Sequence, residues 1–221
     1  MAPPQSLTKR YPDRRAAVRA RPAGWRPNSF VSDSEPGAGG PPTVVLAVIA
    51  LIGTEVMFFG GLISAFYILR AGSFSWPPIG QPRLPIAVTG INTLILFGSG
   101  IAMRFAVGAA KRKRRGAVTR WLVATLILGA AFLAIQGSEW MRLIQYRLTV
   151  KSSLYGALFY AIVGAHAVHV VCAIGALLFV TYWAGRGRYS NGDHDGLVAC
   201  SLFWQFVVLL WGVLYATVYL G

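Results

Sequence analysis

Few residues in this 221-residue chain can move a proton, hold a metal or attack a bond. Glu55 is embedded in the apolar run Gly53-Thr-Glu-Val-Met-Phe-Phe-Gly-Gly61. A carboxyl group in hydrocarbon needs a proton, a partner or a task. Two readings are therefore open: a proton or lipid site, or a neutral acid hydrogen-bonded to a neighbouring helix. His166 and His169 stand three apart in Gly164-Ala-His-Ala-Val-His-Val170, which puts them on one face of a helix. Two imidazoles so spaced can ligate a metal, but zinc takes three or four ligands and a haem-copper centre draws on several helices. The chain has three His in all, and the third, His194, lies in a polar stretch. Interhelical hydrogen bonding is expected instead, with Glu55 within reach of His166.

Glu139, in Gln136-Gly-Ser-Glu-Trp140 and followed by Arg142, has the pattern of an interfacial anchor, although a proton or lipid role is a second reading. Asn92, Thr93 and Gln205 are expected to hydrogen-bond between helices. No nucleophile with a nearby base, no paired carboxylates at catalytic spacing and no phosphate-cradling Gly-rich loop followed by Lys is present. Neither a catalytic residue nor a metal site is therefore expected.

The elements that must position these groups follow from composition. The chain is 55% hydrophobic and only 13% charged, with mean hydropathy +0.55, which is the composition of a membrane protein. Five apolar segments, 43–69, 84–107, 117–146, 152–183 and 196–220, each exceed the roughly 20 residues a helix needs to cross the hydrocarbon. The fold class is an all-α bundle of five transmembrane helices, because strands leave edges that lipid cannot satisfy. Small residues along the spans (Gly60, Gly61, Gly98, Gly100, Gly164, Gly175) suit close helix approach. The segment 1–42, rich in Pro, Gly, Ser and Arg, has no signal-peptide core and is expected to be a disordered basic arm, too proline-rich for an amphipathic targeting helix. Cys172 and Cys200 lie in apolar stretches and are expected to be free thiols.

The net charge of +14 excludes little until its cations are placed. Seven lie in the arm and seven more (Arg104, Lys111, Arg112, Lys113, Arg114, Arg115, Arg120) around the connection between spans two and three. Arg186 and Arg188 bring one side to sixteen of 21. The positive-inside rule then puts the amino terminus in the cytoplasm and the carboxyl terminus outside. Arg112, Lys113, Arg114 and Arg115 are expected to anchor topology on anionic lipid head groups, and Trp204 and Trp211 to act as interfacial anchors. Cations that punctuate apolar runs do not form a nucleic-acid groove, so no nucleic-acid partner is expected.

In this order the motifs resemble subunit III of the haem-copper respiratory oxidases, the family of cytochrome c oxidase and its quinol-oxidising relatives. Thr54-Glu-Val-Met-Phe-Phe59 is similar to that family's Ser-Glu-Val-Met/Leu-Phe-Phe, which places Glu55 on its carbodiimide-reactive carboxylate. The segment from Pro85 with Asn92 and Thr93, then Gln136 to Trp140, then Tyr155-Gly156 through His166 and His169, resemble further family elements. His194, Trp204, Phe206 and Trp211 fit the last helix. Larger members have seven spans, and this chain lacks the first two, an even number that preserves the orientation above. Where many members carry Trp-His-Phe-Val-Asp, this chain has Trp204-Gln-Phe-Val-Val208, and Val198 stands in place of a common Glu. Roles of those missing polar groups do not carry over.

The resemblance implies an accessory, non-catalytic subunit of a proton-pumping oxidase in a bacterial inner membrane. It implies packing on subunit I and on subunit II, phospholipid binding, support of proton uptake, and haems and copper held by the partner subunits rather than by this chain. Membership of a respiratory supercomplex would be compatible with it. The corresponding subunit of a quinol oxidase is the alternative within the family. A small independent transporter is the alternative outside it, although five unequal spans lack the internal repeat expected of one.

Overall fold

The computed structural model describes residues 42–74, 85–146, 149, 151, 153–187, 189 and 194–220. Five long helices account for nearly all of them: α1 (Thr43–Ala71), α2 (Ile86–Lys111), α3 (Arg115–Gln145), α4 (Leu154–Gly185) and α5 (Asp195–Leu214), which continues as a π-helical turn over Tyr215–Leu220. All five are long and apolar enough to cross a membrane. At 1.5 Å per residue the 26 residues of α2 span about 39 Å, and the 20 α-helical residues of α5 span about 30 Å before its π-helical turn, enough for the ~30 Å of hydrocarbon. No strand occurs among the described residues. The expected arm lies outside the described residues except for Pro42, and the helical unit is Pro41–Gly221.

Local chemistry sets the helix ends. Pro42 and Pro85 immediately precede α1 and α2, positions where a missing N–H costs no intrahelical bond. Ser153 caps α4, its hydroxyl accepting from the Gly156 amide at 3.1 Å. Between α2 and α3 the expected long basic loop shrinks to Arg112, Lys113 and Arg114. Lys and Arg are good helix formers whose stems run along apolar surface, so Arg104, Lys111, Arg115 and Arg120 belong to the helices. The turn closes as a Schellman motif: the Lys113 amide donates to Ala110 O at 2.8 Å and the Arg114 amide to Ala109 O at 3.0 Å. Lys113 takes the left-handed position, φ 54°.

Helices α2, α3, α4 and α5 pack in a closed ring, each against the next and α5 back on α2. Its core is aromatic and aliphatic, with Trp204, Trp211, Phe132, Phe159, Leu96, Met103, Leu122, Ile162 and Leu177 almost wholly enclosed. Helix α1 lies outside the ring against α5 and α4, and of its 29 residues it buries only Val45, Phe59 and Phe66. Close approach concentrates at a few glycines of the ring. A Cβ on Gly129 would meet the Trp204 indole at 2.5 Å, one on Gly212 the Phe97 ring at 3.0 Å, and one on Gly100 Val208 Cγ1 at 3.3 Å. By contrast Gly60, Gly61, Gly164 and Gly175, expected to serve helix contact, face open space.

Candidate functional site

Glu55 and His169 meet across the α1–α4 contact, Oε2 to Nε2 at 2.9 Å, each side chain about one-fifth exposed. His169 Nδ1 lies 2.7 Å from the carbonyl of Ala165, one turn earlier on α4. Phe59, one turn beyond Glu55, sets its ring edge on the imidazole at 5.2 Å. The apolar run around Glu55 makes the helix, and the i,i+4 step brings Glu55 and Phe59 to the same imidazole.

The partner of Glu55 is thus His169 rather than His166. The three-residue step rotates the two imidazoles apart around α4, and they serve different neighbours. His166 is 1% exposed and stacks on Trp211 of α5 at 5.1 Å. Neither of its ring nitrogens has a hydrogen-bond partner among the described residues. Trp211 donates its indole N–H to Thr93 Oγ at 2.9 Å, and Thr93 donates to the Thr89 carbonyl at 2.7 Å.

A polar seam continues through the ring. Asn92 Nδ2 donates to the Phe132 carbonyl at 3.1 Å and lies 3.4 Å from Gln136 Oε1, while Gln136 Nε2 donates to the Tyr219 hydroxyl at 3.0 Å. Three helices are joined by these bonds. Gln136 and Tyr219 were not singled out as a contact by sequence reasoning. A glutamine inside an apolar span was the available signal, whereas a tyrosine at a span end looks interfacial until the π-helical turn places it 6% exposed. Gln205 Nε2 donates to the Gly100 carbonyl at 2.7 Å, the interhelical role expected of it.

Trp204 and Trp211 are not interfacial anchors. Both are 0% exposed, and each satisfies its indole N–H on α2, Trp204 through Ser99 Oγ at 3.2 Å. Their positions at two-turn spacing on α5 turn both into the ring, where the bulk of an indole is worth more than its amphipathic edge. Glu139 is 5% exposed and binds Arg142 Nη1 at 2.9 Å. Arg142 itself stays largely exposed, so the carboxylate belongs to the bundle and only its cation to the interface.

Arg112, Lys113, Arg114 and Arg115 are all exposed. Lys113 and Arg115 line a pocket together with Val118, Ala184, Gly187 and Tyr189. The α2–α3 turn and the carboxyl end of α4 therefore share one end of the bundle, and Arg186 joins them over the Tyr182 ring at 4.5 Å. Among the described residues no three His, Cys, Asp or Glu side chains group to hold a metal ion. Cys172 and Cys200 are free.

Five apolar helices with polar side chains committed to interhelical bonds define a multi-pass, all-helical membrane protein. Its sequence places it further. Residues 42–221 match the family model for cytochrome c oxidase subunit III. The chain is similar to cytochrome c oxidase subunit 3 of Corynebacterium diphtheriae, 32% identical over 182 residues, covering 81% of this chain and 88% of that one. It is similar also to the Synechocystis protein of the same name, 32% over 184 residues, covering 82% and 77% respectively. The probable cytochrome c oxidase subunit 3 of Nocardia farcinica is 29% identical over 195 residues, 87% of this chain and 95% of that one. The chain belongs to the cytochrome c oxidase subunit III family. It is a multi-pass bacterial membrane protein of the respiratory chain and works with the other subunits of an oxidase.

Proposed function

We propose that this chain is the accessory subunit III of a proton-pumping cytochrome c oxidase, packing on subunit I and subunit II and leaving the haems and copper to them. It binds phospholipid and supports proton uptake. The observation that carries this reading is the Glu55–His169 contact, a titratable pair held at 2.9 Å on the side of α1 that the chain's own helices leave partly open. Intramembrane carboxyl groups are costly and mark lipid or proton sites by default.

The exposed cations of the α2–α3 turn and Arg186 form the cytoplasmic rim in this reading, attracting anionic head groups. The amino terminus is then cytoplasmic, and an odd number of spans leaves the carboxyl terminus outside. The relatives carry the name of cytochrome c oxidases, which favours cytochrome c over quinol as the electron donor of the complex.

The test is Glu55→Gln in the purified complex. Haem spectra should match those of the parent, while activity decays over fewer turnovers. Parent-like persistence through prolonged turnover would remove Glu55 from proton support. Isolation of the chain as a stable, solute-transporting protein without haem-bearing partners would remove the subunit assignment altogether.

A further inference from the structure

Arg104 lies in α2 seven residues before the last residue of the helix, Lys111, and about 10 Å short of the basic turn. With the surplus length of α2 shared equally between its ends, Arg104 starts about 6 Å inside the hydrocarbon. Its side chain is exposed, yet it makes no hydrogen bond or ion pair with any described residue. A guanidinium does not shed its charge, so at this depth it needs an anion. The carboxylates among the described residues are Glu55, Glu139 and Asp195. Glu55 is held by His169 and Glu139 by Arg142. Asp195 opens α5, and none of the three supplies the anion.

Helix geometry decides between a head group at the surface and an anion within the span. Every helical Cα–Cβ bond tilts toward the N-terminus of its helix. Because α2 ends at the basic turn, the stem of Arg104 sets off away from that turn and toward the middle of the bilayer. Helix α3 begins at the turn, so Arg120, five residues into it, sets off the other way. Its Nε donates to the Gly116 carbonyl, one turn nearer the rim, at 3.3 Å. Arg120 is thus placed to reach head groups, whereas Arg104 is turned from them.

One turn along the lean of Arg104 stands Gly100, where α2 meets α5. Gln205 Nε2 donates to the Gly100 carbonyl at 2.7 Å, and half-buried Gln205 keeps its second amide hydrogen unspent. The pairs Ser99 with Trp204 and Gly100 with Gln205 run antiparallel, which sets Arg104 opposite Cys200 and Ser201. Asp195 lies five residues before Cys200, about 8 Å nearer the rim and on the side from which Arg104 leans away. Around the cation and the amide the surface is apolar and uncovered, with Leu94 and Ile101 of α2 and Leu209 of α5 exposed.

We propose that Arg104, with Gln205 beside it, is the docking point for an Asp or Glu carboxylate carried at matching depth by a transmembrane helix of a partner oxidase subunit. This rests on the reading of the chain as an oxidase subunit and adds the face by which it docks, the groove between α2 and α5. The guanidinium supplies the charge and planar donors that suit a carboxylate, and the spare Gln205 hydrogen a further donor. The exposed Leu94, Ile101 and Leu209 pack against the partner helix and exclude lipid from the ion pair. Arg104 alone in lipid is a cost to the chain; paired across the interface it ties the chain to its partner and fixes the depth at which the two helices meet.

The test uses the purified complex carrying Arg104→Gln, Arg104→Glu or Arg104→Lys, with retention of the chain followed through graded heating. The Gln variant should leave the complex at lower temperature than the parent, the Glu variant at lower temperature still, and the Lys variant close to the parent. A cation that faces only lipid is relieved by neutralisation, so a Gln variant held as well as or better than the parent overturns the docking point. Loss of bound phospholipid in the Gln variant, with retention restored by added phospholipid, also overturns it and assigns Arg104 to a head group. Arg104→Lys gives a second measurement that does not depend on stability. A membrane-permeant carbodiimide should condense the introduced amine with the partner carboxylate, forming an amide while the carbodiimide takes up the water as a urea. Mass spectrometry should then find position 104 joined to an Asp or Glu of a neighbouring subunit. A Lys variant that co-purifies with its partners and gives no such link overturns the proposal. Failure here and failure of the subunit reading are distinct. Haem-bearing subunits that co-purify with an indifferent Gln variant remove only the docking point, whereas their absence beside the parent chain removes both.

Discussion

Gly129 on α3 makes the place for the indole of Trp204 on α5: a Cβ at Gly129 would lie 2.5 Å from Cη2 and 2.9 Å from Cζ2 of that ring. The ring is rigid, wholly enclosed and tied by its N–H to Ser99, so it cannot swing aside. Gly129→Ala should cost about 1–3 kcal/mol through overpacking. The expected result is loss of the subunit from the complex at lower temperature, followed by subunit analysis after graded heating. Retention equal to the parent would mean that α3 and α5 separate easily, against the closed ring.

Thr93 should matter more than its size suggests. Thr93→Val keeps the shape but leaves the buried indole N–H of Trp211 without its acceptor, a loss of ~1–3 kcal/mol. Thr93→Ser restores the hydroxyl and should recover most of it. Trp211→Phe removes the donor as well and tests the stacking on His166 separately.

Asn92, Gln136 and Tyr219 should behave as one unit. In the pair Gln136→Leu and Tyr219→Phe, the double variant is expected to be less destabilised than the sum of the singles, by ~0.5–3 kcal/mol. Additive losses in a double-mutant cycle on thermal retention would mean that the 3.0 Å hydrogen bond contributes little.

Lys113→Gly is expected to stabilise. A lysine at φ 54° pays the left-handed penalty that glycine escapes, offset in part by the greater freedom of glycine when unfolded. A net gain of ~0.5 kcal/mol is expected from these opposing terms. Lys113→Ala, which keeps the strain but loses the charge, separates the backbone effect from the loss of a cation at the rim.

Neutralising Arg112, Arg114 and Arg115 together to Gln should reduce the anionic phospholipid that co-purifies with the complex, measured by lipid analysis, while leaving haem content unchanged. Each cation near an anionic surface contributes about 1 kcal/mol. Unchanged anionic lipid would leave these residues as topology signals alone.

The spans were legible because an apolar run of this length has one outcome in a bilayer, and Glu55, Asn92 and Gln205 stood out as polar groups within them. Helix ends were less so: basic residues flanking spans two and three look like loop, yet they continue the helices because their long stems lie along apolar surface. Facing directions were hardest. His166 and His169 differ by less than one turn, and only the packing of α1 and α5 on different faces of α4 decides which of them meets Glu55. Trp204 and Trp211 carry the amphipathic signature of the interface, but nothing local reveals that α5 turns both into the ring. Several glycines in the spans line no contact at all, since a small residue permits close approach without compelling it.

Of the five helices described, α1 is made first, yet its neighbours among them, α4 and α5, are made last. During synthesis it must wait in the bilayer while the ring that receives it is completed, with Glu55 lacking His169 for most of that time. Of these five, the first to be made is among the last to meet its neighbours.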